Sequence, residues 1–235
     1  MNRFLRFDRV TIALIGPEYP INVGYIARLS KNFGIGQLYL IDPKFDRRVA
    51  MVYAAHGADM VENAQEVSFE DLRKKHDVLV ATTAISATRR ANVNRLSIDP
   101  EKLGYYISTS QSVSLVFGRD TTGLKNEELE FCDLVTTIRT GTNYRTMNVS
   151  HSAAVLLYIL SKSRTGRGEV PDLMEREAFA RYAYELAVAT GMQKHRALML
   201  RKLSKRMTIR SSLDGKEVGL LVALMRKALL RLESH

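Results

Sequence analysis

The stretch RTMNVSHSAAVLLYIL, Arg145–Leu160, joins a polar start to an apolar helix: Ala153 to Leu160 suit a largely buried helix, yet it opens with Thr146, Asn148, Ser150, His151 and Ser152. Helix starts carry unpartnered N–H groups and positive partial charge, so such amides and hydroxyls serve either as caps or as one wall of a site for an electron-rich ligand. On this stretch alone both readings stand. His151 beside Ser150 and Ser152 invites a Ser–His hydrolase, but adjacent helical residues point in different directions and the nucleophile-elbow context is missing. GRDTTGLKN, Gly118–Asn126, has glycines at P-loop spacing. Leu124 nevertheless stands where a lysine must reach phosphate and Lys125 where a hydroxyl must hold magnesium. GIGQLYL, Gly34–Leu40, precedes a strand pattern and reads as a helix stop and turn. His56 and Gly57, in YAAHGAD, read as a turn after a short helix.

The elements that would position these groups alternate. VTIALI (Val10–Ile15), QLYLI (Gln37–Ile41), DVLVATT (Asp77–Thr83), SVSLVF (Ser112–Phe117) and LVTTI (Leu134–Ile138) are predicted strands, most too uniformly apolar to expose a face. Helices are predicted over Asn22–Phe33 with Gly34 as stop, Phe69–Lys75, Pro100–Ser108, Lys125–Phe131 and Asn148 to about Ser161, with Thr121 or Thr122 helping to cap the fourth. This alternation predicts an α/β fold, a mostly parallel sheet with helices on both faces, over residues 1–163. A polar linker with Gly166, Gly168 and Pro171 follows at 164–172, then a small all-helical domain at 173–235 made of three amphipathic helices.

The chain of 235 residues carries a net charge of +10, with a pI near 9.8, which favours a polyanionic partner. Residues 1–163 hold 20 Lys/Arg against 17 Asp/Glu, net +3, and residues 164–235 hold 15 against 8, net +7. The charge therefore concentrates in the tail. One cysteine, Cys132, reads as a small buried residue and excludes an internal disulfide or a Cys-based zinc site; the histidines lack metal-ligand spacing. No metal is expected. With no apolar run of membrane-spanning length and no signal-peptide pattern in MNRFLRFDRV, a soluble cytoplasmic protein without a membrane partner is expected.

Three segments mix glycine with polar groups directly after a predicted strand: PEYPINVGYIARLSKNFG, FGRDTTGLKNEEL and TGTNYRTMNVSHSAAVLLY. In order and spacing they resemble the motifs of SPOUT-superfamily RNA ribose methyltransferases, in the TrmH-like branch and within it the TrmJ type that modifies tRNA. The resemblance spans roughly residues 9–161. Pro20, Asn22, Gly24 and Arg28, six residues beyond the asparagine, match the first motif, whose arginine acts at the methyl-transfer site. Gly118, Arg119 and Gly123 match the second, with Asp120 in place of the usual glutamate. Thr146, Met147, Asn148 and Val149 match the third, with threonine for the common serine.

By this resemblance S-adenosylmethionine binds in a deep trefoil knot on groups around Thr83, Ala84, Gly118, Ile138 and Met147, in a homodimer whose sites lie near the interface. Neither knot nor dimer follows from periodicity. Asn22, Arg28, Asp120, Thr146 and Asn148 are the implied catalytic set, Asn148 and Thr146 orienting the ribose or the arginine. Methyl transfer to a ribose hydroxyl needs the acceptor aligned behind the methyl carbon and its proton removed as it attacks. Arginine is a poor base, so Arg28 is better suited to holding phosphate and stabilising a developing alkoxide. Without the motif set it reads as one exposed charge beside Lys31.

In the tail, MQKHRALMLRKLSKRM places Leu200, Leu203 and Met207 on an apolar helical face and Lys194, Arg201 and Lys205 on another, with Lys202 and Arg206 beside it. That stripe either tracks RNA phosphates or is a solvated surface. The resemblance implies tRNA as acceptor, with the anticodon-loop ribose at position 32 the first candidate. The alternatives are a ribosomal RNA ribose methyltransferase of the same superfamily and an RNA-binding protein that keeps the fold without turnover, the latter kept open by Asp120 and Thr146.

Overall fold

A computed structural model describes residues 7–84, 97–107, 112–163, 171–211 and 213–233. The chain divides into two compact units, residues 1–166 and 167–235; most of the predicted linker lies outside the described residues.

Among the described residues the first unit is built on six strands, β1 (Val10–Ile15), β2 (Gln37–Ile41), β3 (Gln65–Glu66), β4 (Val78–Thr82), β5 (Val113–Phe117) and β6 (Leu134–Thr136). They form one sheet in the order β3-β2-β1-β5-β4-β6, and the pairings between them are all parallel. β1 and β5 are buried at every residue, which is why their sequences run apolar instead of alternating. On one face Ala13, Ile15, Leu79, Ala81, Val116 and Val135 pack with Leu72, Leu129 and Cys132. β6 stops at Thr136, two residues short of the predicted strand, and β3, too short to show a pattern, was not predicted.

Around the sheet lie α1 (Pro20–Phe33), α2 (Arg47–Ala54), α3 (Ala58–Glu62), α4 (Phe69–Lys75), α5 (Pro100–Leu103), α6 (Asn126–Phe131) and α7 (Val149–Lys162). Gly34 ends α1 in the left-handed region (φ +70°), its N–H turned back to the last carbonyls. The predicted helix Pro100–Ser108 is α-helical only to Leu103 and tightens into a 3-10 turn over Gly104–Tyr106; Ser108 lies outside the described residues. Neither Thr121 nor Thr122 caps α6: its cap is Lys125, closed by Glu128. α2 is the short helix expected ahead of His56, for which the sequence set no bounds; it packs on α1 at Gly24, where a Cβ would sit 2.4 Å from the Ala50 carbonyl. His56 and Gly57 form a 3-10 turn after it. Gly57 allows that turn against α1, since a Cβ there would lie 2.8 Å from the Cα of Arg28.

Among the described residues the second unit is three helices, α8 (Leu173–Ala189), α9 (Lys194–Arg210) and α10 (Gly215–Glu233). α8 starts with a reciprocal capping box between Asp172 and Glu175. The predicted faces of α9 need correction. Its buried residues are Ala197, Ser204, Arg206, Thr208 and Ile209, whereas Met207 is 57% exposed. Arg206 is 6% exposed and belongs to the interior, and Lys205 is paired with Glu177 at 2.5 Å. Lys194 and Arg201 remain exposed and Lys202 half-buried. No helix among the described residues is long and apolar enough to cross a membrane.

Candidate active site at the carboxyl ends of the strands

Parallel sheets gather ligands at the carboxyl ends of their strands, and there the loops after β4, β5 and β6 surround a cavity of about 270 Å³. Thr82, Thr83 and Ala84 enter from β4, the segment Phe117–Leu124 from β5, and Thr136, Ile138, Arg145, Thr146 and Met147 from β6 and the chain beyond it. Val149, Ser152 and Leu156 of α7 close one side. All five residues assigned to the cofactor, Thr83, Ala84, Gly118, Ile138 and Met147, thus line one space, together with Asp120 and Thr146. Gly118 has no room for a side chain: a Cβ would meet the Gly123 carbonyl carbon at 2.2 Å, so the loop doubles back on its own start.

Asn22 and Asn148 do not line the cavity but are tied to it. Asn148 caps α7, its Oδ1 accepting from the backbone N–H of Ser150 at 2.8 Å and of His151 at 3.4 Å, and from Ser150 Oγ at 2.7 Å. Its Nδ2 donates to Asn22 Oδ1 at 2.9 Å. Asn22 Nδ2 in turn donates to Asp120 Oδ1 at 2.5 Å. The other Asp120 oxygen accepts from the backbone N–H groups of Glu18 and Tyr19, at 3.1 and 3.2 Å. Tyr19 at the start of α1 makes no side-chain cap, and the carboxylate of a different loop instead ties down the two residues that lead into the helix. The shorter aspartate reaches all three donors.

The loop after β5 is held by Arg119 and Glu128, which pair through two hydrogen bonds of 3.0 and 2.9 Å. Burial pushes the Glu128 carboxyl upward, but the guanidinium and the Lys125 N–H outweigh it and leave it below its ordinary range. The Arg119 guanidinium is raised, chiefly by its bonds to Glu128 and against the effect of burial.

Arg28 stands apart. Its side chain is exposed and does not line the cavity. Arg145 and Leu156, at the cavity wall, were not singled out from sequence, whereas Ser152 stood in the polar start of the helix. Leu156 carried a signal: from Val149, Ser152 and Leu156 fall at helical steps of three and four, on one face.

The comparisons with known proteins meet this geometry. Residues 9–158 match the SpoU rRNA Methylase family. The chain belongs to that family. It is an RNA methyltransferase by descent, and the matched span covers every strand and the cavity. A curated relative, the tRNA (cytidine-2'-O-)-methyltransferase TrmJ of Methanocaldococcus jannaschii, is 30% identical over 226 residues, covering 91% of this chain and 97% of its own. Among solved structures, a probable methylase family protein from Haemophilus influenzae Rd KW20 superposes with a TM-score of 0.63 at 25% identity, covering 97% of this chain and 99% of its own. The TrmJ of Z. mobilis ZM4 gives a TM-score of 0.67 at 18% identity, covering 93% and 98%, and so shares the fold. This SpoU-family chain is therefore matched over both of its units.

Proposed function

We propose that this SpoU-family enzyme transfers a methyl group from S-adenosylmethionine to the 2'-hydroxyl of a tRNA ribose, with the anticodon-loop nucleotide 32 the first candidate. The observation that carries the reading is the hydrogen-bond chain Asn148–Asn22–Asp120 running beside the cavity. The name of the curated relative supports tRNA as the acceptor. The chain's net +10 suits a polyanion.

The cavity fits the cofactor chemically. Leu124, Ile138, Met147 and Leu156 offer apolar contact for a purine, while loop backbone and threonines offer polar partners. Beside them Thr137 Oγ1 is buried without a hydrogen-bond partner. The bound cofactor supplies an electrophilic methyl on sulfonium. Gly118 and the 119–123 loop shape the floor, Thr83, Ala84, Ile138 and Met147 the walls, and Asp120 fixes the start of α1 to that floor. Three N–H donors occupy Asp120, so it organises the site instead of taking the proton. Arg145 at the wall is placed to hold an RNA phosphate. Arg28 stabilises the alkoxide that develops as the ribose proton leaves. Because a single chain does not bring Arg28 to its own cavity, the enzyme acts as a homodimer in this reading.

Transfer of labelled methyl to total tRNA and to total ribosomal RNA, followed by nucleoside analysis, tests the assignment. A 2'-O-methylated nucleoside in tRNA alone is expected. Label confined to ribosomal RNA would move the substrate, and no label in either would leave an RNA-binding protein.

A further inference from the structure

Glu128 lies outside the cavity, yet it holds both ends of the loop that floors it. Arg119 and Gly123 pair backbone to backbone, Arg119 N–H to the Gly123 carbonyl at 3.3 Å and Gly123 N–H to the Arg119 carbonyl at 3.0 Å. Between them stand Asp120, Thr121 and Thr122, all lining the cavity. The Arg119 guanidinium folds back toward the Gly123 carbonyl at 3.4 Å and gives one N–H group to each Glu128 oxygen. Glu128 Oε2 also accepts the backbone N–H of Lys125 at 2.6 Å. One carboxylate thus clasps the residue that opens the loop and the second residue beyond it. The two side chains are 19% and 14% exposed, so the pair is far less open to screening than a surface ion pair. Gly16 makes room for it, since a Cβ there would meet Arg119 Cγ at 3.0 Å.

We propose that Glu128 is a positioning residue for the cofactor: its clasp on Arg119 and Lys125 sets the 119–123 loop at the height where the cavity closes. The role rests on the cavity being the S-adenosylmethionine site. The carboxylate is needed as such. A glutamine has one acceptor oxygen where Glu128 uses two, and its amide N–H groups would face a guanidinium that can only donate. A lysine at 119 keeps the charge but loses the planar fork.

In the full-length protein, E128Q and R119K are compared with the wild type by calorimetric titration with S-adenosylmethionine, by single-turnover methyl transfer at saturating cofactor and by thermal melting. Losing a charge-assisted contact of this kind weakens cofactor affinity about tenfold or more, while the rate at saturation changes by less than about threefold. The double variant binds no more weakly than the poorer single variant, because both break one clasp. Hydrogen exchange at the Gly123 amide keeps the test decisive if E128Q melts low: exchange should quicken there more than in β1. A folded E128Q that binds cofactor as tightly as the wild type overturns the role, as does a loss of rate at saturation with affinity unchanged. A wild-type protein that does not bind S-adenosylmethionine overturns the function reading and this role together, whereas tight wild-type binding with an indifferent E128Q removes only the clasp.

Discussion

Asn148 Nδ2 donates to Asn22 Oδ1 at 2.9 Å across 126 residues of sequence, so the cap of α7 and the first turn of α1 are one hydrogen-bonded unit. Asn22 must accept at one end and donate at the other, to Asp120. A carboxylate at either end of Asn22 can be satisfied; carboxylates at both ends cannot.

That asymmetry separates capping from organisation of the site. Asn148→Ala loses both functions and should cost about 0.5–2 kcal/mol of stability, with a larger loss of methyl transfer. Asn148→Asp keeps an acceptor for the Ser150 and His151 N–H groups but cannot donate to Asn22. It should melt within a few degrees of the wild type and still lose most activity. Full activity in a stable Asn148→Asp protein would reduce the link to a cap.

Arg28→Ala should remove most methyl transfer while leaving S-adenosylmethionine affinity within a few-fold by calorimetry, since the side chain does not line the cavity. A variant with near-normal turnover would take Arg28 out of the reaction.

His76 makes stability depend on pH. It is buried, its Nδ1–H donating to the Leu72 carbonyl and its Nε2 accepting from the Thr11 hydroxyl, each at 2.9 Å, and burial lowers its pKa in the folded protein. Below the unfolded value of about 6.5, the unfolded chain binds a proton that the native state refuses. The stabilisation is therefore whole above about pH 6.5 and falls as pH drops toward the depressed folded value, by at most about 1.4 kcal/mol per pH unit. Urea unfolding between pH 5 and 8 should show this slope in the wild type and lose it in His76→Gln; identical slopes would assign it to other groups.

On α9 the corrected faces divide the basic residues by readout. Arg201→Ala, at an exposed position, should weaken tRNA binding and flatten the dependence of log affinity on log salt by roughly 0.7–0.9, with the melting curve unchanged. Arg206→Ala, at a buried position, should lower stability by about 1–3 kcal/mol. Equal salt slopes for Arg201→Ala and wild type would leave α9 a solvated surface.

What the sequence revealed follows from how each element is buried. β1 and β5 are covered on both faces, so their apolar runs mark them plainly. α2 shows in the sequence only through the turn after it, because its buried residues are Ala50 and Ala54, small groups that meet Gly24 without leaving a stripe of large apolar side chains. α9 misleads because its interior face carries Ser204, Arg206 and Thr208, which a hydropathy pattern assigns to solvent. Two of the loops around the cavity, those after β5 and β6, were legible from glycine and polar residues after strands, and the polar start of α7 proves to be both cap and wall. The bond from Asn148 to Asn22 has no local signature. The separation of Arg28 did have one: six residues from Asn22 at 3.6 per turn put it about 120° around α1.

The order of strands also bears on how the protein is made. β1 leaves the ribosome well ahead of its partner β5, which aligns Val113 with Val10, 103 residues later in the chain. At translation rates of roughly 5–20 residues per second, one hydrogen-bonding edge of this apolar strand stands open for on the order of 5–20 s. Through that interval β2 can protect only the other edge. Nascent-chain collisions and chaperone capture should therefore concentrate on lengths that end before Phe117, and a pause in synthesis there would be the most hazardous place in the gene.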